Sequence, residues 1–206
     1  MLVFSPQSLA FIAVPKTGTT AVEMALKPKA DIVFAKQRKH MPAIRFHNKV
    51  APFLEATFNL RPDRMAVMRN PEEQIRSWYR YRSRELRDGT TTFTGGITFD
   101  QFVLDVISDD PPDYAGIGSQ LKMLTSPRGR VLVHHLFAYE TPILFRQFLD
   151  DRFQENIILK PRNVSPNADA PLSPDIRRKL HTARRDEFDL YHRLMDAGGH
   201  LQSTLD

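Results

Sequence analysis

The chain has 206 residues, 41% hydrophobic and 26% charged, and carries a net charge of +5. One domain with a sizeable core is the natural expectation at that length, and the positive balance favours anionic partners without choosing among them. The absence of cysteine excludes disulfides, thiolate nucleophiles and cysteine-based zinc sites, and leads us to expect a reducing, cytoplasmic location. No apolar run approaches the ~20 residues of a membrane span. The first strand follows Met1 too closely for a secretory signal to be expected.

Leu9 to Val14 is an apolar run of the length of a buried strand. Pro15-Lys16-Thr17-Gly18-Thr19-Thr20 forms a polar loop, and a short helix follows until Pro28. Asp31 to Ala35 reads as a second strand, and Lys36-Gln37-Arg38-Lys39-His40 as a basic connection. Helical patterns begin at Met41 and restart at Pro52. Arg64 to Arg69 reads as a third, buried strand. Asn70-Pro71-Glu72-Glu73 is a helix start with Asn as cap and Pro at the first position, and the helix is expected to run toward Arg87. Further helices are expected over Thr98–Ile107, Ile117–Leu124 and Thr141–Phe153, with strands over Val131–Phe137 and Asn156–Leu159. One C-terminal helix is expected from Ser173 or Pro174 to about Met195. Strands alternating with helices imply an α/β fold with a parallel sheet.

Strand, tight loop, helix is a geometry that points backbone N–H groups at an anion. Lys16 adds a mobile positive charge, and Thr17, Thr19 and Thr20 add hydroxyl donors. The loop is not a Walker A motif, because its lysine precedes its only glycine. Ligands of such sheets bind at the carboxyl ends of the strands. Arg69 ends the third strand and is therefore expected on the same edge as Lys16. It can pair bidentately with a phosphate. Ser77, eight residues on, adds a hydroxyl two turns into the next helix, whose N-terminus adds partial positive charge.

Pro-Lys-Thr-Gly-Thr-Thr after a first strand, with Arg-Asn-Pro and a serine eight residues after that arginine, resembles the sulfotransferases that use 3′-phosphoadenosine 5′-phosphosulfate (PAPS). In that family the first motif binds the 5′-phosphosulfate and the second the 3′-phosphate. The resemblance implies that Lys16, Thr17, Gly18, Thr19 and Thr20 hold the 5′ end, and that Arg69 and Ser77 hold the 3′-phosphate. It further implies a P-loop NTPase-like three-layer α/β fold, with a central parallel sheet flanked by helices, in a single sulfotransferase-like domain over residues 1–206. Less specific likenesses to the carbohydrate branch are Lys39-His40, Phe137-Ala138-Tyr139-Glu140, Arg162-Asn163-Val164-Ser165, Leu172-Ser173-Pro174 and Asp189-Leu190-Tyr191. They add Arg162 and Ser165 as nucleotide contacts and His40 as catalytic base.

The activity that this resemblance implies is PAPS-dependent transfer to a hydroxyl acceptor, a glycan. Lys16 is expected to stabilise charge on the bridging oxygen as the 5′-phosphate leaves. His40 is the base because neutral imidazole accepts a proton near pH 7, with Glu23, Glu55 and Glu140 as rivals. No metal is required, since lysine and backbone N–H groups can stabilise the charge. His134-His135 is not read as a metal pair, because neighbours on a strand face opposite ways. Arg76, Arg80, Arg84 and Arg87 recur at helical spacing, as a solvated face or as a receiver for an anionic acceptor. A kinase-like P-loop phosphotransferase and a non-catalytic polyanion-binding module are the alternatives. Nucleic acid is not expected as a partner, because no DNA- or RNA-binding motif is present.

Overall fold

Two short apolar runs separated by a four-residue turn fold back on each other at the start of the chain. They form β1 (Leu2–Phe4) and β2 (Leu9–Ile12), an antiparallel hairpin with Leu2 opposite Phe11. The computed structural model describes residues 1–84, 87–160 and 170–205. After α1 (Thr19–Leu26) come β3 (Ile32–Val33), the short α2 (Ala43–Arg45), a π-helical segment (Phe46–Val50) and α3 (Ala51–Phe58). Then follow β4 (Asp63–Met68), α4 (Pro71–Arg82), α5 (Phe99–Val106), α6 (Gln120–Leu124) and β5 (His135–Ala138). The chain continues through α7 (Pro142–Phe153), α8 (Pro174–Ala183), α9 (Arg185–Asp196) and β6 (His200–Gln202).

One six-stranded sheet results, in the order β3-β1-β2-β4-β5-β6. Its middle is parallel: β2 pairs with β4, and β4 with β5. Its edges are not, since β3, β1 and β6 pair antiparallel. The sheet is therefore mixed, where alternation alone predicts a parallel one. The runs that build β1 and β6 were not anticipated. Both are too short to carry a periodic signal of their own, and pairing defines them.

Alternation in the central strands explains why they read as unbroken apolar runs. Ala10, Ile12, Ala66, Met68, Leu136 and Ala138 face one core with Phe46, Leu54, Leu124, Leu190 and Leu194. Leu9, Phe11, Met65, Val67 and Phe137 face the other with Val22, Leu26, Phe145 and Leu149. Helices thus cover both faces, as a sheet with parallel central strands requires. A third cluster beside the sheet joins α4, α5, α8 and α9 through Ile75, Phe99, Phe102, Leu180 and Phe188.

Several expected elements are corrected. Asn156–Leu159 is not a strand, because β6 takes the free edge of β5; Ile157 instead packs into the core shared with α1 and α7. Val131 makes only a single bridge, to Thr125, so the strand begins at His135. The expected C-terminal helix breaks at Arg184. Leu180 on one side of the break packs in the third cluster, and α9 on the other side packs Phe188 there and Leu190 and Leu194 against the sheet. Helix α4 stops at Arg82 with Ser83 as cap, short of Arg87. Its start is as expected: Asn70 Oδ1 accepts the N–H groups of Glu72 and Glu73, at 3.0 and 3.3 Å. Among the described residues, no helix is long and apolar enough to cross a membrane.

The adjacent histidines do not diverge. His134 precedes the strand, and both rings come within 3.9 Å of Asp63, which also pairs with Arg152. His135 Nδ1 lies 3.2 Å from His200 Nε2 on β6. Burial holds the pKa of His134, His135 and His200 below the usual value, against the smaller pull of Asp63 on the first two. A histidine depressed in this way binds fewer protons folded than unfolded. Its contribution to stability is complete above the unfolded pKa of about 6.5 and declines as pH falls below it. The urea midpoint is therefore expected to drop between about pH 7.5 and about pH 5.5. His135→Asn should shrink that drop, and an equal drop in the variant would acquit this cluster.

Candidate functional site

Because β2, β4 and β5 run parallel, they deliver three chain segments to one edge: the Pro15–Gly18 loop, Arg69-Asn70, and Tyr139-Glu140. The Tyr139 N–H donates to Met68 O at 2.8 Å and ties the last two together. In the loop, Lys16 and Gly18 both take left-handed backbone, with φ of 66° and 78°. At Lys16 this costs about 1 kcal/mol or more, a strain of the kind found at functional turns. At Gly18 a side chain is disfavoured by φ, and the Tyr139 ring packs 3.4 Å from where a Cβ would stand.

Thr17 is buried, and its hydroxyl donates to Val14 O at 2.9 Å. It therefore staples the loop, and its proton is not offered to a ligand. Gln74 of α4 reaches Pro15 O at 3.4 Å from the other side. The first N–H to fold back into α1 is that of Ala21, onto Gly18 O. Among the described residues, no acceptor takes the N–H of Lys16, Thr17, Gly18, Thr19 or Thr20. These five N–H groups stand at a helix N-terminus without a protein acceptor among the described residues.

Lys16 Nζ rests 4.2 Å from the ring centroid of Tyr81 and 5.4 Å from that of Trp78. Its pKa is lowered to about 8, by burial first and then by Arg84, Arg69, Arg82 and Arg87. Arg69 stacks over Tyr139 at 4.6 Å, and its nearest carboxylate, on Glu73, is 3.8 Å away. Four buried donors around Lys16 have no partner among the described residues: Arg69 Nε, Trp78 Nε1, Arg84 Nε and Arg87 Nε. Buried polar groups in folded proteins are nearly always satisfied, so a group of four calls for an acceptor from outside. Ser77 is half-buried on α4, in the turn before Trp78.

His40 Nδ1 lies 2.6 Å from Ala13 O, at the end of the strand that enters the loop. A carbonyl only accepts, so Nδ1 carries the proton and Nε2 keeps its lone pair. Burial holds the pKa of His40 below the usual value, partly offset by this bond. The imidazole is thus neutral at pH 7 and fixed in the tautomer a base needs. The rival carboxylates are engaged. Glu23 pairs with Lys39 at 2.6 Å, Glu55 with Arg61, and Glu140 accepts the Asn70 N–H at 2.9 Å. Glu140 also bonds Tyr191, whose pKa burial and that carboxylate push up to about 12.

Sequence reasoning missed Gln120. This buried amide accepts the Arg69 N–H at 2.9 Å and donates to Arg69 O at 2.8 Å. Glu187 holds the Gln120 N–H at 3.0 Å and Ser119 Oγ at 2.7 Å. Nothing local marks a glutamine 51 residues away in the chain as the clamp on Arg69. Trp78, Tyr81 and Tyr139 were also missed as partners of the cations, although an aromatic–arginine rhythm from Trp78 to Arg87 was there to be read. Arg162 and Ser165 lie outside the described residues. No protein-family model matches the chain, and no curated protein is significantly similar to it.

An anion placed against Lys16 raises its pKa from about 8. Binding of adenosine 3′,5′-bisphosphate at pH 8 is therefore expected to take up protons, and to weaken as pH rises further. Calorimetry in two buffers of different ionisation enthalpy measures the uptake. Lys16→Ala should remove it, and uptake of the same size in that variant would place the titrating group elsewhere.

Proposed function

We propose that the chain is a PAPS-dependent O-sulfotransferase that acts on a hydroxyl of a glycan, with the P-loop NTPase-like three-layer fold of that family in a single domain. The observation that carries the reading is the pair of anion sites on one sheet edge. One is the Lys16–Thr20 cradle with its unclaimed N–H groups; the other is Arg69, held by Gln120, with its Nε unpartnered. A nucleotide phosphorylated at both ends uses both sites, and a nucleotide with only a 5′ chain leaves the second idle. The kinase-like alternative also lacks the lysine position of a Walker A loop.

PAPS supplies an activated sulfuryl group. The Lys16 ammonium and the loop N–H groups hold its 5′ end, and Arg69 and Ser77 its 3′-phosphate. Sulfuryl transfer resembles phosphoryl transfer in depending mainly on positioning and charge stabilisation. The acceptor oxygen bonds to sulfur as the bond from sulfur to the bridging oxygen breaks. His40 Nε2 takes the hydroxyl proton, and the electron pair of the broken bond stays on the 5′-phosphate beside Lys16. Thr17 acts on the loop rather than on the ligand, since its hydroxyl is spent on Val14 O.

Adenosine 3′,5′-bisphosphate is expected to bind at least about tenfold more tightly than AMP, a difference of ~1.4 kcal/mol for the 3′-phosphate contacts. Equal affinities in a direct titration would remove Arg69 and Ser77 from the site, and preference for Mg·ATP would favour the kinase. Lys16→Ala should reduce transfer from labelled PAPS by about 100-fold or more with the fold intact.

His40→Ala should cut the rate by about 100-fold while bisphosphate affinity holds. The same variant should lose the acid limb of the pH–rate profile. An unchanged rate would return the role of base to a glutamate.

A further inference from the structure

The arginines along and beyond α4 do not form one solvated face. Arg76 is committed to Glu72, to Glu73 at 2.8 Å, and to Ala170 O. Arg82 turns inward to the carbonyl oxygens of Asp113, at 3.0 Å, and Tyr114. Arg84 and Arg87 lie past the helix cap and have a different environment. Their guanidinium carbons stand 5.4 and 4.8 Å from the centroid of Tyr81, the ring that also carries Lys16 Nζ at 4.2 Å. Three cations converge on one aromatic ring, and none has a carboxylate partner among the described residues. Arg87 gives its terminal nitrogens to Tyr81 Oη and Thr92 Oγ1, at 3.0 and 2.9 Å. Its Nε, the Nε of Arg84 and the indole N–H of Trp78 are buried with no acceptor among the described residues.

Like charges so close repel one another, and buried donors without acceptors add to the penalty. One anion relieves both. The proposed 3′-phosphate contacts, Arg69 and Ser77, lie before and within α4, whereas Arg84 and Arg87 lie past its cap Ser83, six residues beyond Ser77 and ~9 Å by helix rise. The 5′ end has Lys16 and the cradle. We propose that Arg84, Arg87 and Trp78 Nε1 form a third anion pocket beside Lys16, which receives a carboxylate or sulfate ester of the acceptor. The acceptor is then an anionic glycan, held by its charge so that a hydroxyl faces the transferring group. Its role as an acceptor subsite rests on the sulfotransferase reading; its existence as an anion pocket does not.

The test is a calorimetric titration of a heparin-derived tetrasaccharide, with maltotetraose as the neutral probe, at low salt. Each is run with and without saturating adenosine 3′,5′-bisphosphate. The Arg84→Gln, Arg87→Gln double variant is expected to bind the tetrasaccharide at least about tenfold more weakly and the bisphosphate within about threefold of the parent. Arg146→Gln with Arg178→Gln removes the same charge from exposed positions and should cost less than about threefold. Lysine at both pocket positions should restore part of the affinity, which separates lost charge from lost folding. Three results overturn the pocket: an equal loss in the exposed control, a parallel loss of bisphosphate affinity, or maltotetraose binding as tightly as the tetrasaccharide. If the bisphosphate binds no better than AMP, the sulfotransferase reading falls, and the titration without nucleotide still decides the pocket.

Discussion

Parallel pairing of three central strands is the constraint on which the rest depends. With Leu9 opposite Asp63 and Met65 opposite His135, β2, β4 and β5 end together. Their exits then place a lysine loop, an arginine and a tyrosine within side-chain reach. Antiparallel pairing at any of these ladders would send one exit to the opposite edge. The two cores that clamp the strands, through Phe11 and Phe137 on one face and Ile12 and Leu136 on the other, hold that alignment. Each fully buried side chain of this size contributes about 2 kcal/mol or more.

At that edge the protein gathers positive charge. Lys16, Arg84 and Arg87 lie over Tyr81 with no carboxylate partner among the described residues, and Arg69 lies over Tyr139 with a single distant one, Glu73 at 3.8 Å. Aromatic faces stabilise cations by a modest amount without neutralising them, so the charge remains available to a ligand. Acids close by are turned to other work. Glu140 receives the Asn70 N–H, Glu187 orients Gln120, and Glu72 binds Arg76 and Arg177. Rigidity comes from short polar links: Thr17 to Val14, Gln74 to Pro15, and the two-armed grip of Gln120 on Arg69.

Local rules recovered the elements whose signals are local. Asn70-Pro71 starts α4, α5 falls within Thr98–Ile107, and the apolar runs at Leu9 and Met65 are central strands. Elements that exist through pairing were hidden. β1 and β6 are three residues each, and β6 displaced the Asn156–Leu159 segment from an edge it otherwise suits. The break at Arg184 was hidden too, because both halves of the C-terminal run keep helical spacing. Among candidate site residues, Lys16, Gly18 and Arg69 were legible from motif chemistry. Thr17 was legible as a hydroxyl in the loop, but its use as an internal staple depends on where Val14 O points.

By itself the sequence determined the α/β alternation, the strand–loop–helix around Lys16 and the arginine at the end of the third strand. Each of these comes from residue types within one turn or one strand. Tertiary structure alone decided the mixed edges of the sheet, the hold of Gln120 on Arg69 and the tautomer of His40. It also decided the convergence of Lys16, Arg84 and Arg87 on Tyr81. The His40 and Gln120 contacts join residues 27 and 51 positions apart, and Lys16 comes to Tyr81 from a different strand exit, so strand pairing and core packing set them rather than neighbours in the chain.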